Sequence, residues 1–235
     1  MSMLSRFATL GGAPTDPYWA NVSYLLVGNG ANGTTTNIKD SSSNNVTTTI
    51  TGNTVISTAQ SKYGSGSVYF DGAGDYLTGT SGSNFVFGTG DFTIEMWVYL
   101  LSSKPNPALF DTRDIGITNG IVVLFDAANK LWLYDGTIYA SSTNSVTLNS
   151  WNYVAVSRVS GVIKTYINGT SGFSQTITTN LSGSGCLIGT VRPVPNDPTF
   201  NFNGYMYDLR ITKGVGRYTG STMPVPSAPL PTTGP

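Results

Sequence analysis

One carboxylate in this chain stands where carbohydrate chemistry could take place. Glu95 is the only glutamate among 235 residues, and it lies in the segment DFTIEMWVY, residues 91–99. Apolar residues alternate with polar and aromatic ones along this segment, which predicts a β-strand. The alternation puts Phe92, Ile94, Met96 and Val98 on a core face and Thr93, Glu95, Trp97 and Tyr99 on the other face. A carboxylate between aromatic rings can hydrolyse a sugar or bind one.

Hydrolysis of a glycoside needs two carboxyl groups, one on each side of the scissile bond. The neighbours of Glu95 at strand spacing are Thr93 and Trp97, so a second carboxylate would have to come from Asp111, Asp114 or Asp135. The chain contains no histidine, which excludes Ser-His-Asp and Cys-His catalysis. We therefore predict no catalytic residue, no metal site, no cofactor and no enzymatic activity.

Sugar binding is the other chemistry that these residues could support. Aromatic rings stack on the apolar face of a pyranose, while polar groups bond its hydroxyls. Alternation places six candidate residues on faces away from the core: Glu95, Trp97, Tyr99, Trp132, Tyr134 and Tyr153. If their strands share a sheet, the first five form a glycan-binding platform. The alternative is a second structural layer beneath long loops, in which Glu95 is simply hydrogen-bonded.

The composition limits which classes of partner the protein is expected to bind. Twelve basic and twelve acidic residues give zero net charge, with no basic patch for nucleic acid. No apolar run reaches the roughly 20 residues that span a bilayer, and the first 14 residues lack the apolar core of an export signal. Cys186 is the only cysteine, so packing must stabilise the fold, and its apolar neighbours predict a small buried side chain.

The order of short apolar segments and Gly/Asn turns predicts an all-β, two-sheet antiparallel β-sandwich. We expect hairpins closed at Gly52-Asn53, at residues 127–129 and at Ser160-Gly161, and one helical turn over 214–218. We expect an exposed loop over 191–199. The tail from residue 223 has five prolines in thirteen residues, which favours exposed polyproline II structure.

Several segments in this order resemble the laminin-G-like, concanavalin-A-like lectin/glucanase superfamily. They are Ser67–Gly72 (SVYFDG), Asp75–Leu77, the segment around Glu95, Ser150–Arg158 (SWNYVAVSR), Tyr166–Gly169, Leu187–Gly189 and Phe202–Ile211 (FNGYMYDLRI). The resemblance implies a jelly-roll sandwich. Many superfamily members bind calcium near the closing strand, but here Tyr207 occupies the usual acidic position and Asp208 is expected to face the other way. Asp71 and Asp75 could hold a cation, or could serve as turn residues that bond nearby backbone groups.

The entry and exit of the sandwich, residues 16–26 and 209–218, are similar to versions found in tailed-phage virion proteins. The resemblance covers roughly residues 18–218, which gives a sandwich over 19–218; Gly11-Gly12, Pro14 and Pro17 indicate an N-terminal arm (1–18), and the prolines indicate a Pro-rich tail (219–235). The resemblance to virion proteins further implies a non-enzymatic structural protein of a tail fibre or capsid decoration, made in the host cytoplasm. Its expected partners are other virion proteins, further copies of the same chain and a host-surface polysaccharide. A cellular carbohydrate-binding module and a glycoside hydrolase remain the alternatives.

Overall fold

The computed structural model describes residues 14–114, 116, 119–137, 141–192 and 197–235. The first 13 residues of the predicted arm and residues 193–196 of the predicted exposed loop lie outside the described residues. The described chain contains fourteen β-strands in two antiparallel sheets and two single turns of 3₁₀ helix, at Trp19–Asn21 and Ser83–Phe85. The prediction of an all-β two-sheet sandwich is therefore confirmed.

The eight-stranded sheet has the order β12-β11-β10-β6-β14-β4-β3, and β1 also pairs with β14. Its strands are β1 (Val22–Leu26), β3 (Val55–Ser57), β4 (Ser67–Asp71), β6 (Phe92–Leu100), β10 (Trp151–Val159), β11 (Val162–Ile167), β12 (Thr170–Thr176) and β14 (Asn203–Lys213). The long strands β6 and β14 are neighbours at the centre. One edge of β14 pairs with β4 at its start and with β1 at its end.

The six-stranded sheet has the order β2-β5-β13-β7-β8-β9. Its strands are β2 (Thr48–Thr51), β5 (Tyr76–Gly79), β7 (Ala108–Asp111), β8 (Val122–Phe125), β9 (Leu131–Tyr134) and β13 (Cys186–Ile188). The main core lies between the two sheets and contains the four predicted inward residues of β6, Phe92, Ile94, Met96 and Val98, together with Leu100. Cys186 is fully buried there, and burial raises the pKa of its thiol to about 12.

Two predicted hairpins are confirmed. Strands β8 and β9 pair around the turn at 127–129, and β10 pairs with β11 around Ser160-Gly161. Ser160 and Gly161 both have positive φ, of 49° and 79°, as the twist of a two-residue hairpin turn requires.

The predicted hairpin at Gly52-Asn53 is wrong, because its two strands belong to different sheets. Strand β2 pairs with β5 in the six-stranded sheet, whereas β3 pairs with β4 in the eight-stranded one. Asp75 fixes this crossing: its carboxylate accepts the backbone N–H groups of Asn53 and Asp71. Asp71 in turn accepts the N–H of Ala73, so both aspartates make the turn contacts that were one of the two expectations for them.

Two local predictions near the C-terminus are also wrong. Residues 214–218 form no helical turn, because their groups bond outward, as when Arg217 N–H donates to Thr93. The Pro-rich tail is not simply exposed, because Met223 and Leu230 are buried at 6% and 8% exposure. Most of the tail's other residues remain exposed, as their proline content suggests.

Candidate functional site

The outer face of the eight-stranded sheet carries three of the five predicted glycan-binding residues, and they differ in exposure. Along β6, Glu95 is fully buried, Trp97 is 4% exposed and Tyr99 is partly exposed. The strand register places each of these three residues in its own row of side chains, which runs across the neighbouring strands. The three rows therefore form one sealed polar cluster, one covered aromatic cluster and one accessible aromatic surface.

Glu95 lies at the centre of the sealed polar cluster. Its Oε1 accepts Arg210 Nε at 2.8 Å and pairs with Arg210 Nη2 at 2.7 Å. Its Oε2 accepts the hydroxyls of Tyr153, at 2.6 Å, and Tyr218. Burial and the adjacent Glu95 carboxylate raise the pKa of Tyr153, so this phenol stays a donor. Both oxygens of Glu95 are thus saturated and shielded from a substrate.

Asp16 completes the charge balance of this cluster. It pairs with Arg210 Nη1 at 2.8 Å and with Arg217 Nη2 at 2.7 Å, so two carboxylates face two guanidinium groups. Burial alone would raise the pKa of Asp16, but hydrogen bonds from Arg217 and from Tyr18 N–H hold it below 3.8. Asp16 belongs to the segment predicted as an arm, and its contacts join that segment to the sandwich.

The covered aromatic cluster surrounds Trp97. Tyr207 and Tyr153 lie opposite Trp97 on the two adjacent strands, and Tyr63 contacts its ring edge-on with centroids 6.1 Å apart. The ammonium group of Lys62 lies 3.8 Å from the centroid of the Trp97 ring. Met223 of the tail packs into the same cluster. Loops and tail thus form a second layer over this row, which is the alternative considered for these aromatics.

A β-bulge next to Trp97 reorients Asp208. The pairing of β14 with β6 shifts between Tyr207 and Arg210, and Asp208 adopts φ of 53°. Its buried Oδ2 accepts the N–H of Leu230 in the tail at 2.8 Å, while Oδ1 has no hydrogen-bond partner. The expectation that Asp208 faces away from Tyr207 is wrong, because the extra residue of the bulge breaks the two-residue alternation.

The accessible surface is a row of four aromatic rings across four neighbouring strands. Tyr205 of β14 lies opposite Tyr69 on one side and Tyr99 on the other, and Tyr99 lies opposite Trp151 of β10. The successive ring centroids are 4.9, 5.8 and 5.6 Å apart. Tyr69, Tyr99 and Trp151 are partly exposed, and Tyr205 is 8% exposed. Strands lie about 4.8 Å apart, so the row extends roughly 14 Å over the sheet.

Trp132 and Tyr134 lie elsewhere, on the outer face of the six-stranded sheet. Their outward orientation on β9 is confirmed, since Leu131 and Leu133 are buried between the sheets. The premise that they share a sheet with Glu95, Trp97 and Tyr99 is wrong, so the five residues cannot form one platform. Sequence alternation assigns each side chain to a face of its own strand, but it carries no information about which strands become neighbours.

Three members of the aromatic row were missed in the sequence. Trp151 and Tyr205 each stand two positions from another non-core aromatic, Tyr153 and Tyr207, which is a usable signal, whereas Tyr69 has no such neighbour. What the sequence lacks is the register that aligns them with Tyr99. Within the described residues, no three Cys, Asp or Glu side chains come together as a metal site. Neither described helical turn is long and apolar enough to cross a membrane.

Two stacked antiparallel sheets with a jelly-roll strand order and an aromatic outer face define a lectin-type β-sandwich. Residues 70–215, more than half of the chain, match the model of the Concanavalin A-like lectin/glucanases superfamily (Laminin_G_3), and the chain belongs to this family. No curated protein matches the chain.

Several solved structures are similar in fold. The binding domain of Paraclostridial Mosquitocidal Protein 1 superposes with a TM-score of 0.63 at 15% identity, over 83% of this chain and 49% of that one. Domain 4 of AbnA, a GH43 extracellular arabinanase from Geobacillus stearothermophilus solved with arabinotriose, gives 0.61 at 20% identity, over 83% and 93%. The binding domain of botulinum neurotoxin serotype G gives 0.59 at 15%, over 86% and 49%. The chain thus spans about half the length of each of the two toxin binding domains. Two of these three similar structures are described as binding domains, and the third is one domain of a larger enzyme.

Proposed function

We propose that this protein is a non-catalytic lectin-like module that binds a neutral oligosaccharide on the outer face of its eight-stranded sheet. The observation that carries the proposal is the row Tyr69, Tyr205, Tyr99 and Trp151. Partly exposed rings in a line match a chain of pyranose or furanose units, whose C–H faces stack on aromatic rings. The family and the arabinotriose complex of the similar arabinanase domain support a sugar as the ligand.

Two polar side chains at the ends of β14 and β6 are held by the protein itself. Asn203, at the start of β14, donates its amide to Ser102, and Lys104 donates to the carbonyl groups of Gly72 and Pro198. Both are bonded within the protein, so the rings themselves are the main contacts that the row offers to a sugar. Stacking of the sugar units on the rings then supplies most of the affinity, and the alignment of the rings along the row fixes the orientation of the oligosaccharide.

A non-enzymatic role follows from the burial of Glu95. A glycosidase must place a carboxyl group against the scissile oxygen. The only glutamate has both oxygens saturated beneath Tyr153, Tyr218 and Arg210. Incubation with cell-wall polysaccharides should therefore release no reducing ends. Turnover that Glu95→Gln abolishes would overturn this part of the proposal.

The binding test compares variants of the row with a matched tyrosine elsewhere. Tyr99→Ala and Trp151→Ala should each weaken binding of an arabinan- or glucan-derived oligosaccharide about tenfold, which corresponds to about 1.4 kcal/mol. Tyr18→Ala removes an aromatic ring that is 44% exposed outside the row and should leave affinity unchanged. Equal affinity of all three variants and the native protein would contradict the proposal.

We also propose that the module is displayed on a phage particle, as a tail-fibre or capsid-decoration protein that adheres to host-surface glycan. The support is the likeness of residues 16–26 and 209–218 to virion versions of the fold. In the structure these two segments lie together, because Asp16 pairs with Arg210 and Arg217. Mass spectrometry of purified particles should detect the chain in a symmetric copy number. Its absence from particles would favour a cellular carbohydrate-binding module.

A further inference from the structure

The Pro-rich tail is fixed to the sandwich at two points. At one point the Met223 N–H donates to the carbonyl of Gly169, and at the other the Asp16 N–H donates to the carbonyl of Thr233, both at 2.9 Å. Residues 224–232 lie between these points and include four prolines, which have no N–H to donate. The middle of the tail therefore has few backbone groups that could hold it on the sheet.

Two hydrogen bonds hold segment 224–232 among the residues that the structure describes. The Tyr63 hydroxyl donates to the carbonyl of Pro226 at 2.7 Å, and the Leu230 N–H donates to Asp208 Oδ2 at 2.8 Å. Leu230 is the buried residue of the segment. Asp208 is fully buried beneath it, and Asp208 Oδ1 has no hydrogen-bond partner. Because a buried acceptor without a partner costs free energy, docking of the segment carries a penalty that water would remove.

The groups around Asp208 decide whether it holds a proton. Burial is the largest effect and raises the pKa of Asp208 from 3.8 to about 7. The N–H from the tail and the Arg210 guanidinium favour the carboxylate, while the Glu95 carboxylate favours the acid. Tyr63 and Tyr207 add no charge, since burial and then the Asp208 carboxylate raise their pKa values. The proton on Asp208 thus depends mainly on the exclusion of water.

We propose that segment 224–232 is a pH-released cover, docked while Asp208 is protonated and lifted as Asp208 ionises. Lifting lets water reach the carboxylate and frees the hydroxyl of Tyr63, whose ring contacts Trp97 and Tyr207 edge-on. The docked form keeps the proton up to about pH 7, whereas the lifted form loses it near pH 4. Docking is therefore strongest below about pH 4, weakens as the pH rises and levels off above about pH 7. This device does not depend on whether a sugar binds the aromatic row.

Amide hydrogen exchange of the full chain at about pH 4.5 and about pH 7 tests the proposal. The protection factor, which corrects for the intrinsic pH dependence of exchange, should fall about hundredfold for the Leu230 amide over this interval. It should stay constant in Asp208→Asn, in which residue 208 cannot ionise. The amides of β6 should exchange more slowly than Leu230 at both pH values, because the segment lifts without unfolding of the sheet.

The reverse effect is a second test, because coupling between docking and proton binding is reciprocal. Leu230→Ser removes the buried anchor and should move the pKa of Asp208 from about 7 toward 3.8, as measured by the ¹³C shift of its carboxyl group. Val225→Ser changes a residue of the same segment that is 39% exposed and should leave this pKa unchanged. An Asp208 pKa that is the same in Leu230→Ser and the native protein would overturn the proposal. So would a Leu230 protection factor independent of pH, or equal exchange of Leu230 and the β6 amides.

Discussion

At the residue scale, position along one strand decides what each predicted glycan-binding side chain does. Glu95, Trp97 and Tyr99 share a face of β6, but only Tyr99 reaches solvent to a useful extent. Arg210 and Arg217 compensate the buried Glu95 carboxylate, and Asp16 balances the remaining positive charge. A buried carboxylate is tolerated only with such partners. Glu95 is therefore a structural residue that ties β6 to β14 and to the segments before and after the sandwich.

The first prediction concerns removal of that charge. Glu95→Gln should lower the free energy of unfolding by about 3–5 kcal/mol, because Arg210 and Arg217 lose their buried counter-charge. Urea denaturation followed by tryptophan fluorescence measures the change. Asp197→Asn, on an exposed loop carboxylate, serves as the control and should leave the midpoint unchanged. A Glu95→Gln midpoint equal to that of the control would refute the structural role.

The second prediction concerns pH and Asp208. Burial raises the pKa of this carboxyl from 3.8 to about 7, although its hydrogen bond from Leu230 N–H and the charge of Arg210 act in the other direction. The folded protein therefore binds this proton more tightly than the unfolded chain does. Stability is lost as pH rises from about 4 through about 7, by up to about 4 kcal/mol.

Asp208→Asn isolates this contribution. An Asn side chain tolerates φ of 53° and its carbonyl oxygen can still accept from Leu230. The variant should match the native protein near pH 4 and exceed it in stability at pH 8. A difference between the two proteins that stays constant with pH would show that Asp208 does not titrate in this range.

At the scale of elements, the tail acts as a strap over the outer face of the eight-stranded sheet. Three hydrogen bonds hold it. The Met223 N–H donates to the carbonyl of Gly169, the Tyr63 hydroxyl donates to the carbonyl of Pro226, and the Leu230 N–H donates to the Asp208 carboxylate. Proline favours an extended chain, but a few apolar residues suffice to dock it. The tail therefore covers Trp97 and leaves the row around Tyr99 accessible.

The third prediction tests the strap. Leu230→Ser should weaken docking of the tail by about 2 kcal/mol from lost burial and should move Trp97 toward solvent. A red shift of tryptophan emission and faster hydrogen exchange of the residue 230 amide would report this. Val225→Ser, at a residue 39% exposed in the same segment, should produce neither effect. Identical behaviour of the two variants would contradict the strap.

The sequence supports the fold further than it supports the site. Strand alternation correctly assigns the inward side chains of β6 and β9, and Ser160-Gly161 closes its hairpin as expected. The Gly52-Asn53 turn shows the limit, because the same local signal suits a hairpin or a crossing between sheets, and only long-range pairing decides. The site depends on such pairing twice, in the alignment of Tyr99 with Tyr205 and in the separation of Trp132 from Trp97. The bulge at Asp208 interrupts the two-residue alternation of β14, and no glycine or proline at that position indicates it in the sequence.

At the scale of the whole molecule, the two sheets present two chemically different outer faces. The eight-stranded sheet combines a sealed ionic cluster, a strapped aromatic layer and an open row of rings. The six-stranded sheet carries Trp132 and Tyr134, with the guanidinium of Arg113 5.3 Å from the Tyr134 ring centroid. The only glutamate is sealed beneath Tyr153, Tyr218 and Arg210.

The central claim is that the row from Tyr69 to Trp151 is the surface that holds sugar. Its most direct test is the chemical-shift change of backbone and indole N–H groups when a neutral arabino- or gluco-oligosaccharide is titrated into the isotopically labelled protein. We predict that the largest changes map to Tyr69, Tyr99, Trp151 and Tyr205, and that Tyr99→Ala needs about tenfold more oligosaccharide to reach half-saturation. Binding that shifts only residues of the six-stranded sheet, or saturable binding unaffected by Tyr99→Ala, would contradict the account.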